Sequence, residues 1–331
     1  MIYFDNSATT VPYPEALRTY QEVATKIFGN PSSLHQLGTS ATRILEASRK
    51  QVAELIGKSA DEIFFTSGGT EGDNWVIKGV AFEKEPYGKH IIVSDIEHPA
   101  VKESAKWLSE HGFEVSYAPV NEQGFVDVEA LAGLLRPDTI LVSVMAVNNE
   151  IGSIQPIQAI SDLLANEPTI SFHVDAVQAI GKIPVSSYLT DRVDFATFSG
   201  HKFHAVRGVG FVYKKAGKKI IFDELAKYED ITIFSGEGED FAPNILTFGI
   251  KGVRGEVIVH AFEEHQIYIS TTSACSSKAG KPAGPLISMG VPTKLAQTAV
   301  RISLDDDNDM GQVEQFLTIF KQVYAKTQKV R

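Results

Sequence analysis

The chain has 331 residues, 43% hydrophobic and 22% charged, which suits a globular protein with one large domain and a smaller one, and argues against disorder, collagen-like repeats or coiled coil. Forty-one acidic against 31 basic side chains give a net charge of −10, so a direct grip on nucleic acid, which needs a basic footprint, is not expected. The longest apolar run, Thr139–Val147, is too short to span a bilayer, the opening MIYFDNSATT lacks the basic start and apolar run of a secretion signal, and a single cysteine, Cys275, can form no internal disulfide; these features point to a cytoplasmic protein with a free thiol and no membrane partner.

Ser40–Ile56 carries apolar residues at helical spacing. From Ile63 to Lys214, β-branched or aromatic runs alternate with amphipathic stretches. The predicted strands are Ile63–Thr66, His90–Ser94, Glu114–Tyr117, Thr139–Val144, Ile170–Val174, Val193–Phe198 and Val209–Tyr213. Most gaps between the first five admit a helix, and runs apolar on both faces suit a mainly parallel, seven-stranded sheet covered on both sides. Beyond about Leu225 the pattern changes. Strand-like Ile231–Phe234, Ile245–Ile250 and Thr298–Ser303, with helices Arg254–His265 and Met310–Ala325, predict a smaller α+β domain. Asp305–Asp309 reads as an acidic N-terminal cap on the last helix. The fold expected is α/β, with 14–224 as the large domain and 1–13 plus 225–331 as the small one.

In open α/β sheets ligands bind beyond the carboxyl ends of the strands, so the residues after each strand are the informative ones. Ser67-Gly68-Gly69-Thr70-Glu71-Gly72 follows the first strand and opens a helix; its backbone N–H groups could hold a phosphate, although a plain strand-to-helix turn has the same composition. No GxGxxG or GxxxxGK[ST] pattern accompanies it. His98 follows the second strand and Asn148-Asn149 the fourth. Asp175 ends the fifth, where a carboxylate is costly unless it meets a cation. Ser199-Gly200-His201-Lys202 follows the sixth, and a lysine partly buried at such a place is the type that forms imines.

Each residue has an ordinary structural reading by itself. Together they supply a phosphate anchor, a ring stack, a ring-nitrogen partner and an imine former, the set required by pyridoxal 5′-phosphate (PLP). Metal and Ser-His-Asp chemistry fall behind, since HExxH, paired cysteines and a GxSxG elbow are all absent from the sequence. Cys275 sits among small polar residues with Lys278 three positions on, as in an exposed loop with a reactive thiol or as an incidental surface thiol. Arg301 reads as a carboxylate clamp or a surface ion pair.

Tyr3–Thr10, Gly29–Ser33, Thr66–Glu71, Glu97-His98, Asn148–Gly152, His173–Asp175, Ser199–Lys202 and Ser273–Cys275, in this order, resemble the NifS-like cysteine desulfurases. The Ser-Ala-Cys-Ser-Ser loop is similar to that of the family's first group. The resemblance implies a fold-type I PLP homodimer that converts L-cysteine to L-alanine, with Lys202 forming the internal aldimine and moving the Cα proton. It also implies His98 on the pyridine ring, Asp175 on the ring nitrogen, and Gln178 and Asn149 on the ring oxygen and substrate. Gly69, Thr70, Ser199 and His201 would hold the phosphate, and Arg301 the substrate carboxylate. Cys275 would take the sulfur as a persulfide and pass it to an acceptor protein, an iron–sulfur scaffold or a tRNA-thiolation enzyme.

One departure stands out. The family's Gly-Gly-Gly-Gln stretch and Arg-Ser-Gly-Thr motif, which reaches the partner's PLP phosphate, are missing. Lys218–Leu225 runs almost directly into Ala226–Ile231, and Lys202 and Cys275 are only 73 residues apart (275 − 202). The alternatives are therefore a shortened, inactive or weakly active paralogue that binds partners as a scaffold, or another fold-type I enzyme such as an aminotransferase or selenocysteine lyase.

Overall fold

The apolar runs of the first two-thirds of the chain assemble into a single twisted sheet. In the computed structural model, which describes residues 2–236, 242, 244–271, 284–304 and 310–330, two units are distinguished, Met1–Lys215 and Ala216–Arg331. The first contains α1 (Pro14–Lys26), α2 (Gln36–Ile56), α3 (Gly69–Glu83), α4 (Pro99–Ser109), α5 (Val128–Leu134) and α6 (Ile157–Leu163). Its strands are β1 (Ile63–Thr66), β2 (His90–Ser94), β3 (Glu114–Ala118), β4 (Thr139–Ser143), β5 (Ser171–Asp175), β6 (Phe195–Ser199) and β7 (Gly210–Lys214). Their order is β1-β7-β6-β5-β4-β2-β3, with β7 antiparallel to both neighbours and the other pairs parallel. The mainly parallel α/β sheet expected from the sequence is present.

Alternation along each strand divides the apolar residues between two faces. Ile91 and Val93 join Phe195 and Val212 against Val76, Ile77 and Val80 of α3 and Val101, Ala105 and Leu108 of α4. Ile92 falls on the other face with Phe172, Val174, Phe198 and Phe211, against Ala53 and Ile56 of α2, Leu131 of α5 and Ile157 and Ile160 of α6. A strand packed on both faces takes polar side chains inside only where they are hydrogen-bonded, and at their carboxyl ends β5 and β6 carry Asp175 and Ser199. Both strands run one residue further than the sequence pattern predicts, because their last residues are polar but still paired in the ladder.

The second unit has a four-stranded antiparallel sheet in the order β10-β11-β9-β8, from β8 (Ile231–Ile233), β9 (Ile245–Ile250), β10 (Ser270–Thr271) and β11 (Ala299–Ser303). Its helices are α7 (Gly217–Leu225), α8 (Gly255–Glu263), α9 (Gly284–Ser288), α10 (Thr293–Ala296) and α11 (Met310–Val330). Phe248, Ile250, Val300 and Ile302 of the sheet pack with Phe262, Phe316 and Phe320 of α8 and α11. The unit boundary differs from the sequence division at both ends. Helix α7 buries Ile221 and Leu225 in this second core, whereas Thr10 and Tyr13 of the N-terminal segment bond to His201 and His204 of the first unit. The acidic stretch Asp305–Asp309 and the cysteine loop, with Cys275, lie outside the described residues.

Candidate active site

A cavity of about 480 Å³ opens at the carboxyl edge of β4, β5 and β6, large enough for a small cofactor and substrate. Gly69, Thr70, His98, Asn149, Asp175, Gln178, Ser199, His201 and Lys202 all line it. Nine of the eleven residues proposed from the sequence therefore meet on one wall or another of a single space. Arg301 is exposed at the centre of β11 in the second unit, and Cys275 is outside the described residues.

The loop after β1 is held by a local carboxylate. Glu71 accepts hydrogen bonds from the backbone and hydroxyl of Ser67, both at 2.6 Å, and these bonds hold its carboxyl below the usual range. Helix α3 then begins at Gly69 with its first N–H groups unused by the helix. A Cβ built on Gly69 would stand 2.8 Å from Cγ2 of Val177 and 3.4 Å from Cβ of Ser199. Only glycine lets this helix start, the β5 loop and the end of β6 close in so tightly.

Asp175 is 4% exposed and accepts a 2.9 Å bond from the Val177 N–H through Oδ1. Burial pushes its carboxyl up, while that bond, His98 and Lys202 pull it down. Burial and the nearby Lys182 depress the Lys202 amine, against Asp175 and Asp5. His98 is the N-cap of α4, where Nδ1 accepts the Ala100 N–H at 3.1 Å; in the neutral ring the proton is then assigned to Nε2. His201 is held low by burial, then by Lys202 and Arg207. Gln178 donates Nε2 to the Ser7 carbonyl at 2.8 Å and accepts Lys182 Nζ at 2.9 Å. Asn148 accepts the N–H groups of Glu150 and Ile151, which turns the chain so that its neighbour Asn149 lines the cavity.

Sequence reasoning missed several wall residues. Ser7 and Ala8 leave no compositional signal, because small residues near a terminus are ordinary. Asp73 did leave one: it precedes Val76, Ile77 and Val80 by three, four and seven positions and so sits on the apolar face of α3. It is 1% exposed, lines the cavity, and has a carboxyl raised by burial and then by Asp175, with Thr197 donating to it. Beneath it, His173 Nε2 bonds Thr197 Oγ1 at 3.0 Å and its Nδ1 bonds Ser143 Oγ at 2.8 Å. Burial lowers His173 to about 3, so the ring is neutral and one nitrogen donates while the other accepts. Glu97 is also hidden, its Oε1 accepting from Ser94 Oγ at 2.5 Å and the Met145 N–H at 2.6 Å.

These groups match the chemistry of PLP. A buried carboxylate suits a protonated ring nitrogen, a helix start with open N–H groups suits a phosphate, and a depressed lysine suits a carbonyl. Among the described residues no cluster of metal-ligating side chains occurs, and no helix is long and apolar enough to cross a membrane.

Residues 2–220 match the aminotransferase class-V family. The "NifS/IcsS protein homolog" of Lactobacillus delbrueckii subsp. bulgaricus is 45% identical and aligns with all of this chain and 99% of its own. The "Cysteine desulfurase IscS" of Methanosarcina thermophila is 34% identical over 98% of this chain and 92% of its own. A solved "NifS-like protein" superimposes with a TM-score of 0.62 at 32% identity, over 98% of this chain and 99% of that one. The Lactobacillus alignment runs over 380 positions against 331 residues here, leaving at least 49 (380 − 331) of its positions without a counterpart. With its sheet, its cavity and its relatives in agreement, the chain belongs to the class-V aminotransferase family, among the NifS-like cysteine desulfurases.

Proposed function

We propose that the chain is a PLP-dependent cysteine desulfurase that converts L-cysteine to L-alanine and holds the released sulfur as a persulfide on Cys275. The observation that carries this reading is the joint placement of Lys202, Asp175 and the start of α3 around one cavity. When bound, PLP supplies an electron sink for negative charge developing at the substrate Cα.

The chain's own residues do the rest. Asp175 would hold the proton of the ring nitrogen, and in its buried setting little water would compete for that ion pair. The N–H groups at Gly69 and Thr70, with Ser199 and His201, would bind the phosphate. His98 offers Nε2 to the cavity, and Gln178 and Asn149 offer side-chain amides. Lys202 would hold the cofactor aldehyde, and its Nζ, whose proton affinity burial lowers, is suited to move the Cα proton. Met145, Val147 and Val177 complete the wall and exclude water. Arg301 holds the substrate carboxylate. The Cys275 thiolate attacks the substrate sulfur, forming an S–S bond as the C–S bond breaks.

We assign a homodimer as the working state. Helix α1 has no buried residue, and Leu17, Tyr20, Phe28 and Leu34 are 48%, 62%, 71% and 103% exposed. A second copy of the chain is the occupant proposed for this exposed apolar surface. The persulfide is passed to a cytoplasmic acceptor, an iron–sulfur scaffold or a tRNA-thiolation enzyme, since a thiol that must cycle needs a reducing compartment.

The test is borohydride treatment of the PLP-supplemented protein followed by peptide mass spectrometry. A pyridoxyl adduct on Lys202 is the expected result, and an unmodified Lys202 peptide refutes the assignment. Cys275→Ala should keep the yellow colour and lose persulfide formation. The positions absent relative to the Lactobacillus protein favour a second reading, a weakly active chain that serves as a scaffold. It predicts little PLP absorbance and no alanine.

A further inference from the structure

The N-terminal segment does more than close one side of the cavity. Lys202 Nζ donates to two main-chain carbonyls, Ser7 O at 2.5 Å and Ala8 O at 3.0 Å. These oxygens point the same way because the chain turns there, with the N–H groups of Ala8 and Thr9 both bonded to Asp5 O, at 3.1 and 3.4 Å. The Tyr3 hydroxyl bridges the two ends of that turn, lying 3.0 Å from Asp5 O and 2.9 Å from Thr9 O and sharing its one proton between them.

The turn is fixed to the lysine loop on both sides of Lys202. Before it, Thr10 N and Oγ1 donate to His201 O at 2.8 and 2.9 Å, and Thr9 Oγ1 meets His201 Nδ1 at 3.1 Å. After it, the His204 N–H donates to Thr10 Oγ1 at 2.7 Å and Tyr13 N–H to His204 O at 3.0 Å, with the two rings stacked at 4.2 Å. His204 has φ of 65°, a conformation costly for a residue with a side chain and kept only where surrounding bonds over-determine it. The sequence thus spends several hydrogen bonds and a strained residue on keeping a solvent-exposed turn in register with one lysine.

We propose that the Ser7 and Ala8 carbonyls form an ammonium cradle that holds Lys202 as a positioned cation whenever its amine is not bonded to a cofactor or substrate carbonyl. The proposal deepens the reading of Lys202 as the imine-forming amine and rests on it. Carbonyl oxygens accept hydrogen bonds from an ammonium more strongly than from a neutral amine, so the cradle favours the charged form. Of the groups that face Lys202, Asp175 and Asp5 act in the same direction, and Lys182 and burial oppose it; His201, alongside, is itself depressed. Two effects follow. The free lysine is kept from reacting with stray carbonyl compounds, and Nζ waits at a set place when it is released.

The experiment is trace acetylation of the cofactor-free full chain at pH 8, read at each lysine by peptide mass spectrometry, with Lys89 and Lys106 as internal references. Ala8→Pro removes the N–H that bonds Asp5 and disfavours the compact conformation at Ser7. Labelling of Lys202 should rise about tenfold in this variant, the loss of roughly one charged hydrogen bond, with the reference lysines unchanged. Asp5→Asn separates the effect of charge from that of the carbonyls and should move Lys202 labelling far less. Should Ala8→Pro misfold, deletion of residues 2–8, all exposed, gives the same readout. Lys202 labelling that is unchanged or lower in the folded variant overturns the cradle. A chain that shows the rise but forms no adduct with PLP keeps the cradle and loses the proposed function, so the two failures are distinguishable.

Discussion

Glu97→Gln is a sharp test of how the wall behind the cavity is built. Glu97 is 4% exposed, one oxygen accepts from Ser94 and Met145, and Oε2 is buried without a partner among the described residues. Burial raises its carboxyl from 4.5 to about 8, with Asp175 adding to the rise and Ser94, Met145 and Lys102 opposing it. A proton affinity higher in the folded chain than in the unfolded one stabilises the fold at low pH, fully below 4.5, and that stabilisation is lost as pH rises toward 8. Each pH unit between those limits is about 1.4 kcal/mol, so relative to pH 4 the fold has lost about 3 kcal/mol of this contribution at pH 7 and about 5 above pH 8.

Glutamine keeps the accepting oxygen and cannot ionise. The two proteins should therefore be equally stable near pH 4, with the variant ahead by about 3 kcal/mol at pH 7 and about 5 at pH 9. Urea unfolding of the cofactor-free chain, followed by tryptophan fluorescence at several pH values, measures this directly. Both tryptophans, Trp75 and Trp107, lie in the first unit with Glu97, so the signal reports the right transition. Stability profiles that run parallel from pH 5 to pH 9 would refute the reasoning.

Three further outcomes are expected. Asp175→Asn keeps an acceptor for the Val177 N–H but removes the charge; PLP affinity should fall roughly 10- to 100-fold, one charge-assisted hydrogen bond, while stability of the cofactor-free chain at pH 8 rises. Equal PLP affinities by spectrophotometric titration would detach Asp175 from the ring nitrogen. Gly69→Ala drives a methyl into Val177 and should lower affinity for PLP and inorganic phosphate together, about tenfold, by shifting the start of α3; isothermal titration with phosphate checks it without the cofactor's other contacts. Leu17→Glu on the unburied helix α1 should shift the sedimentation coefficient toward a monomer, and an unchanged dimer would place the interface elsewhere.

The strand runs were legible in the sequence because β-branched and apolar residues packed on both faces leave little room for polar ones. That alone located β1 to β7 to within two residues, and with them the places where Gly69, His98, Asn149, Asp175, Ser199 and Lys202 would emerge. Helix α1 carries no such mark, since none of its side chains is buried, and α7 became visible only through its packing on the second core. What tertiary structure alone decided is the charge state and partnering of the wall. Whether Asp73 and Glu97 are ionised depends on how completely the fold seals them from water. The pairing of Lys202 with two carbonyls 195 and 194 positions away depends on a turn held by hydrogen bonds rather than by any residue type. Residue identity states which chemistry is possible at a strand end, because donors and acceptors are covalent properties. Proton affinity and reach belong to distance and burial, which exist only once the chain has folded.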